Sequence, residues 1–232
     1  FERPQLVTPY LDGSILVYDE GSYQIKKIDS KGVVTNFLGQ AYNSGNQEGS
    51  TADGMRIYIE REFGDMVADL SNGDLYWYSG SQIYKFDNTE KTVSRILSHD
   101  GTIGGIAILN SKIYFTATWN HVIRELTFDG SNYSSEVVVG SKGDYDNTFN
   151  QIKSFSENMV YYPGELVADP VKNRIYANGY TSWYDNSGLR RNLFIIDFND
   201  QTQITYNNLL PSSGRNGSIT LDSEGKLYVT SD

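Results

Sequence analysis

The chain alternates short apolar runs with polar turns. Residues 11–39 read LDGSILVYDEGSYQIKKIDSKGVVTNFLG, in which short apolar runs are separated by small turns containing glycine. Runs of this length, rich in Val, Ile and Tyr and bounded by Gly, Asp and Ser, are typical of β-strands. No long segment keeps apolar residues at helical spacing with a cap at both ends. The pattern therefore predicts consecutive short strands joined by tight turns.

The opening pattern recurs along the chain. The dense β-type run LVYD at 16–19 is answered by similar runs at 75–78, 113–116, 175–178 and 227–230. A strand led by glycine precedes most of these runs, and a third strand and a closing strand follow most of them. The central tyrosines of the runs serve as markers: Tyr18, Tyr76, Tyr114, Tyr176 and Tyr228. Their mean spacing of about 50 residues is near the length of a four-stranded propeller blade.

Each repeat is therefore predicted to be a four-stranded antiparallel meander. The approximate bounds of the units are 4–39, 63–98, 103–140, 163–210 and 216–232, and the fifth unit stops after its second strand. We predict an all-β chain that forms a single β-propeller domain over residues 1–232, with five visible units of which the last is incomplete. An open or differently closed arrangement of five units is the alternative, because a ring must join its last blade to its first.

The chain resembles the NHL-repeat family of β-propellers. The resemblance is carried by LVYDEGSYQIKKIDSKGVVTNFLG and by GQAYNSGNQEGSTADG before FGDMVADLSNGDLYW. It implies about six blades in the parent protein, which we expect to continue beyond Asp232 with a further blade or domain. The chain departs from the family pattern at TATWNH and NGYTSWYDNSGLRRN, where a turn of the type Asp-x-x-Asn or Asp-x-x-Gly is usual after the second strand.

The candidate binding residues lie in the longer loops. In a propeller, the loops between the second and third strands share one face with the connectors between blades, and long loops on a rigid scaffold often carry function. The loop 179–192 and the connectors 40–62 and 141–162 are long. The ligand-binding candidates are Trp119, His121, Tyr180, Trp183, Tyr184, Arg190 and Arg191. The connector tyrosines Tyr42, Tyr145, Tyr161 and Tyr162 either join them or cap the gaps between blades.

The residue types in these loops favour a binding module. Flat aromatic rings beside Asn, Asp and Arg suit a glycan, whose ring faces stack and whose hydroxyl groups need polar partners. The same set suits a protein interface, so a protein-interaction scaffold is the first alternative. Trp77 is predicted to lie in the core. For Trp119 and for Trp183, a structural role and a ligand-binding role both remain open. His121 is either structural or a binding residue.

An enzyme is the second alternative. The chain has two histidines, and no H-x-H, H-E-x-x-H or G-x-S-x-G pattern occurs. A metal-dependent lactonase or hydrolase would need several metal ligands that converge on the central channel. His99 lies in a Ser-His-Asp-Gly turn and is expected to be solvated. We predict no cofactor. GSTADG and SKGDYDN could hold Ca²⁺, but they lack the spacing of an EF-hand or nonapeptide loop.

The composition of the chain limits the classes of partner that we expect. A net charge of −10 and a pI near 4.7 disfavour nucleic acid, because an acidic surface repels phosphate. No apolar run reaches the roughly 18 residues of a membrane-spanning helix. Cysteine is absent, so disulfides and thiol chemistry are excluded. The resemblance and the Tyr- and Gly-rich composition lead us to expect an exported bacterial protein of the cell surface or periplasm.

Overall fold

The computed structural model describes residues 1–42, 48–50, 63–140, 152–155, 160, 162–180, 191–210 and 218–229. Its regular elements are β-strands and short 3-10 turns, such as those at Leu11–Gly13 and Thr118–Asn120. Within these residues no helix is long and apolar enough to cross a membrane. The chain divides into two compact units, 1–100 and 101–232.

The first unit contains two antiparallel sheets. Sheet 1 consists of β1 (Pro4–Pro9), β2 (Ile15–Asp19), β3 (Gln24–Ile28) and β4 (Val34–Leu38), hydrogen-bonded in chain order. Sheet 2 consists of β5 (Gly49–Ser50), β6 (Phe63–Ala68), β7 (Leu75–Ser79), β8 (Gln82–Asp87) and β9 (Thr92–Ser98), in the order β5-β9-β8-β7-β6. The strands β6 to β9 form a meander, and β5 adds a short strand beside β9.

The second unit contains three further sheets. Sheet 3 consists of β10 (Ile103–Leu109), β11 (Lys112–Ala117), β12 (Val122–Phe128) and β13 (Tyr133–Val139). Sheet 4 consists of β14 (Ile152–Ser154), β15 (Pro163–Asp169), β16 (Arg174–Tyr180), β17 (Arg191–Asp197) and β18 (Thr202–Leu210), in the order β14-β18-β17-β16-β15. Sheet 5 pairs β19 (Ile219–Leu221) with β20 (Leu227–Val229).

The predicted fold class is confirmed: the described residues are all-β, and four of the five sheets are built on four-stranded antiparallel meanders. Two short strands were not predicted. The connectors 40–62 and 141–162 were expected to be loops, yet β5 pairs with β9 and β14 pairs with β18. Each added strand covers backbone groups that would otherwise stand at an open sheet edge. The interpretation of these segments as loops throughout was therefore wrong.

The register of the strand pairs also corrects the alignment of one marker tyrosine, Tyr18. Tyr18 of sheet 1 pairs with Ile25, and Tyr78 of sheet 2 pairs with Ile83. Each isoleucine lies in the third strand of its sheet, directly before a register shift. Tyr18 therefore corresponds to Tyr78, and the counterpart of Tyr76 is Leu16. The run at 16–19 is the right repeat, but its tyrosine was matched two residues out of register.

The core of the first unit lies between its two sheets. Side chains of sheet 1, including Leu16 and Tyr18, pack with side chains of sheet 2, including Leu75, Trp77 and Phe86. Trp77 is 1% exposed and stacks on a neighbouring ring, which confirms its predicted place in the core. In the second unit, separate apolar clusters form between sheets 3 and 4 and between sheets 4 and 5.

The turns between the third and fourth strands share one device. Each begins with an aspartate whose carboxylate accepts hydrogen bonds from backbone N–H groups two to four residues later: Asp29, Asp87, Asp129 and Asp197. This local bonding closes a tight turn without a partner from elsewhere. The backbone bond from Glu90 to Asp87 and that from Asn132 to Asp129 hold the pKa of each carboxyl below its usual value.

A candidate ligand-binding site on sheets 3 and 4

The loop between β11 and β12 presents an exposed tryptophan. A single 3-10 turn, Thr118–Asn120, reverses the chain, and His121 closes it in the left-handed region with φ of 58°. Trp119 lies within this turn and is 60% exposed. More than half of this side chain's surface is therefore available to a ligand.

Three rings meet at this loop. The ring of Tyr162, the residue before β15, lies edge-on to Trp119 with centroids 5.3 Å apart. The same tyrosine ring lies edge-on to the imidazole of His121, at 4.5 Å between centroids. Edge-to-face pairs at such distances are favourable, and they hold the rings in defined orientations. We call Trp119, His121 and Tyr162 the aromatic cluster.

Hydrogen bonds fix the segment that carries Tyr162. Three side chains of the β11–β12 region bind three consecutive residues, 162–164, and we call these bonds the clasp. Tyr162 N donates to His121 Nδ1 at 3.1 Å, Thr118 Oγ1 donates to the Pro163 carbonyl at 2.8 Å, and Thr116 Oγ1 donates to the Gly164 carbonyl at 2.9 Å. The clasp ties the start of β15 to sheet 3, whose β11–β12 loop carries Trp119.

Glycines allow the two sheets to approach at the clasp. A Cβ at Gly104 would lie 2.9 Å from the carbonyl oxygen of Pro163, and one at Gly105 would lie 2.5 Å from the carbonyl oxygen of Gly164. Both glycines lie at the register shift of β10, between Ile103 and Ile106. The glycine that recurs in the repeated sequence is thus required here by close packing.

His121 supports the cluster from beneath. His121 is 8% exposed. Its Nδ1 accepts a hydrogen bond from the backbone N–H of Tyr162, and Nδ1 must carry no proton to do so. Burial lowers the pKa of His121, because the charged imidazolium is poorly solvated there. The sequence named His121 as either structural or binding. Its geometry is that of a residue that orients Tyr162.

The other predicted site residues belong to the neighbouring loop of sheet 4. The structure describes the backbone of Tyr180 and Arg191, which pair across β16 and β17. They lie at the same end of sheet 4 as Tyr162, since Pro163 pairs with Gly179. Trp183, Tyr184 and Arg190 lie outside the described residues. The structure thus brings Trp119 and His121 together and places the ends of the long loop on the adjoining sheet.

Sequence reasoning underestimated Tyr162. It was grouped with the connector tyrosines, of which Tyr145 and Tyr161 lie outside the described residues. Tyr42 belongs to the first unit, where its hydroxyl bonds to Glu2. The one signal that distinguished Tyr162 was its position directly before Pro163 and Gly164, at the start of a first strand. No sequence pattern indicated that Thr116 and Thr118 would bind this segment.

His99 differs from its prediction. It was expected to be a solvated turn histidine, but its side chain is 6% exposed and its Nε2 lies 3.4 Å from Asp100. The backbone N–H of His99 donates to the Ser81 carbonyl at 2.8 Å, which closes β9 against the loop between β7 and β8. The turn therefore packs its histidine inward, a choice that local sequence does not reveal.

The structure describes little of GSTADG and SKGDYDN, the two segments considered as Ca²⁺ sites. Among the described residues, no three or more His, Cys, Asp or Glu side chains are grouped as metal ligands would be. Of GSTADG the structure describes only Gly49 and Ser50, and SKGDYDN lies outside the described residues. The prediction about Ca²⁺ in these two segments stays a prediction.

Sequence comparison does not assign the chain to a family. No family model matches it, and no curated protein matches it. The resemblance to NHL repeats therefore stays a prediction.

Solved structures do resemble the fold. The chain is similar to virginiamycin B lyase from Staphylococcus aureus, with a TM-score of 0.58, 14% identity and coverage of 98% of this chain and 63% of that one. A putative gluconolactonase gives a TM-score of 0.58 at 12% identity, over 99% of this chain and 71% of that one. A Bacteroides thetaiotaomicron protein of unknown function gives 0.52 at 15% identity, over 75% and 44%.

These likenesses define the class of the protein. At such low identity they show the fold alone, and the fold is that of a β-propeller. The chain spans less than two thirds of the length of the lyase.

Proposed function

We propose that this chain is a non-catalytic binding module, of the NHL-repeat type of β-propeller, that recognises a glycan at the aromatic cluster. One observation carries the proposal. Trp119 is 60% exposed, yet it is held in place by a neighbouring ring that the clasp fixes. An exposed indole that is already ordered loses little conformational entropy when a ligand covers it.

The chemistry of the cluster suits a sugar ring. A tryptophan face offers a large apolar surface, and the rim of a binding site supplies groups that fix the orientation of the ligand. We assign that polar role to the loop between β16 and β17, whose ends at Tyr180 and Arg191 lie at the same end of sheet 4 as Tyr162. Trp183, Tyr184 and Arg190 extend the site in this proposal, and His121 positions Tyr162 beneath it.

The test compares two exposed aromatic residues of one sheet. Trp119→Ala removes the proposed stacking surface. Phe128→Ala is the matched control, because Phe128 is 56% exposed, pairs with Tyr133 at 4.6 Å and lies at the opposite end of β12. Binding to soluble amylopectin, xylan, laminarin and pectin is measured by calorimetry and affinity electrophoresis. We expect Trp119→Ala to weaken binding about tenfold or more, as for an aromatic hot spot.

The control separates binding from folding. Both variants should unfold at nearly the same denaturant concentration as the unsubstituted chain, since surface positions cost little stability. Equal losses of binding in both variants, or no binding of folded protein to any polysaccharide, would contradict the glycan proposal.

Two other functions follow from specific features and have their own readouts. A protein-interaction scaffold would use the same aromatic cluster, because Trp and Tyr are enriched at interface hot spots. A metal-dependent lactonase or hydrolase is the second alternative, because two of the similar structures are a virginiamycin B lyase and a putative gluconolactonase. Turnover of gluconolactone or virginiamycin B that a chelator abolishes would support the enzyme over the binding module.

The proposed setting is outside the cytoplasm. Export to the cell surface or periplasm of a bacterium would place the module where polysaccharides are met. In this proposal binding needs no cofactor.

A further inference from the structure

We propose that protonation of His121 loosens Tyr162 and weakens ligand binding at the aromatic cluster, so that the site releases its ligand at mildly acidic pH. The consequence for binding rests on the proposed function. The effect on Tyr162 does not, and it can be measured on the free protein.

The first step is the direction of one hydrogen bond. His121 Nδ1 accepts the backbone N–H of Tyr162 at 3.1 Å. A proton on Nδ1 turns the acceptor into a donor, and two N–H groups would then point at each other. The bond cannot survive protonation without movement of either the imidazole or residue 162.

The second step is that the imidazole has little room to move. His121 is buried, it adopts a left-handed backbone conformation, and its ring lies against the ring of Tyr162 at 4.5 Å. Tyr162 is less deeply buried than His121, and it lies before the first residue of β15. Residue 162 is therefore the part that yields, and the edge contact that orients Trp119 yields with it.

The third step concerns charged side chains on β12 and β15, the strands that follow His121 and Tyr162 in the chain. Tyr162 is the titratable side chain in ring contact with His121. On β12, the guanidinium of Arg124 is bound to Ser135, through Oγ at 3.0 Å and the carbonyl at 2.7 Å. On β15, Glu165 Oε2 accepts the N–H of Ile219 at 3.0 Å. Burial is the cause that lowers the pKa of His121.

The sign of the effect follows from this shift. The imidazole of the clasped state binds a proton less readily than one exposed to water, whose pKa is about 6.5. Acid therefore favours the unclasped state, in which His121 is solvated and charged. The clasp is intact above about pH 6.5 and weakens as the pH falls below that value.

The remaining bonds limit the extent of the change. Thr116 and Thr118 do not titrate in this range, and they still hold residues 163 and 164. Loss of one hydrogen bond in three should reduce affinity about 2- to 10-fold without unfolding the sheets.

The chain is well suited to the test because it contains two histidines. Two variants of His121 retain its left-handed backbone. His121→Asn tolerates that conformation and keeps an acceptor that cannot protonate, whereas His121→Gly tolerates it and has no acceptor. His99→Asn is the control for the second histidine. The imidazole signals, the Tyr162 amide signal and its hydrogen exchange are followed by NMR from pH 7.5 to pH 5, together with affinity for the four polysaccharides.

The expected result is a Tyr162 amide signal that titrates with His121, at a midpoint below 6.5, in the unsubstituted chain and in His99→Asn. In His121→Asn it should stay at its neutral-pH position, and in His121→Gly it should exchange rapidly at every pH. A Tyr162 amide that is unaffected by acid, or that still titrates in His121→Asn, would overturn the proposal.

The two proposals fail in different ways. If Tyr162 responds as expected and no polysaccharide binds at any pH, the histidine device stands and the glycan function falls. If a polysaccharide binds equally well at pH 7.5 and pH 5, the glycan function stands and the acid release is overturned.

Discussion

Two matching rows of side chains in the first unit differ in their surroundings. In sheet 2 the row Ala68, Leu75, Phe86 and Val93 crosses four strands and packs into the core, with exposures of 7%, 0%, 3% and 4%. The row at the same register of sheet 1 is Pro9, Ile15, Ile28 and Val34. Ile15 is 37% exposed and Val34 is 47% exposed.

The comparison separates what a strand pattern determines from what packing determines. Both rows alternate with residues of the opposite face in the same way, and both are apolar. They differ because the row of sheet 2 lies against sheet 1, with Phe86 at 5.2 Å from the ring of Phe37. Apolar alternation therefore marks a face that is able to pack, and exposure depends on whether another sheet covers it.

The largest expected effect is on the buried row. Phe86→Ala should lower the free energy of unfolding by about 3–5 kcal/mol, because it leaves a cavity next to Phe37. Urea denaturation followed by circular dichroism measures the loss. A loss below about 1 kcal/mol would mean that the two sheets do not pack in solution as described.

A second prediction concerns a residue that distinguishes the two sheets. Asp19 of β2 stands at the register position of Ser79 in β7. Its buried carboxylate binds Lys26 Nζ at 2.6 Å and accepts the backbone N–H of Arg3 at 2.7 Å. Asp19→Asn should cost about 2–3 kcal/mol, because Lys26 loses its counter-charge in a buried place. Urea denaturation at neutral pH measures this loss.

The pH dependence provides the check on Asp19. Burial alone would raise the pKa of its carboxyl, but the bonds from Lys26, Arg3 and Ser22 outweigh burial and leave the pKa below its usual range. A lowered folded-state pKa stabilises the fold above about pH 4, and this contribution is lost as the pH falls further. Unfolding at pH 6 and pH 3 should therefore differ more in the unsubstituted chain than in Asp19→Asn. Equal differences would show that other carboxylates dominate.

The smallest expected effect is on the exposed row. Ile15→Ala and Val34→Ala should each cost less than about 1 kcal/mol, because much of each side chain already contacts water. Val93→Ala, at the register position of Val34, is the matched control and should cost more. If Val34→Ala is as costly as Val93→Ala, the exposed row is covered in solution, and sedimentation analysis should then reveal the self-association.

Much of the fold could be predicted because its signals are local. The glycine-led first strand, the dense second strand and the Asp-started turn recur in the repeats, so the four-stranded meander could be recognised from the spacing of residues. The short strands β5 and β14 could not, since they form by pairing with strands distant in sequence, and their own residues carry little β pattern.

The candidate site was only partly predictable, for a similar reason. Trp119 and His121 stood out as an aromatic and a histidine in a short loop. Their contact with Tyr162 joins residues about forty positions apart. The clasp also depends on two ordinary threonines, Thr116 at the end of β11 and Thr118 in the turn that follows. Sequence patterns record which residues alternate along one strand, but they do not record which carbonyl a hydroxyl will meet on the next sheet.

The amino-acid sequence by itself determined the all-β class, the repeated unit and the turns, because each depends on residues within a few positions of one another. Tertiary structure decided which apolar rows are buried and which face water, and it decided that His121 and His99 turn inward. Those outcomes depend on the packing of one sheet against another, and the free energy of burial belongs to the pair of surfaces and not to either strand alone.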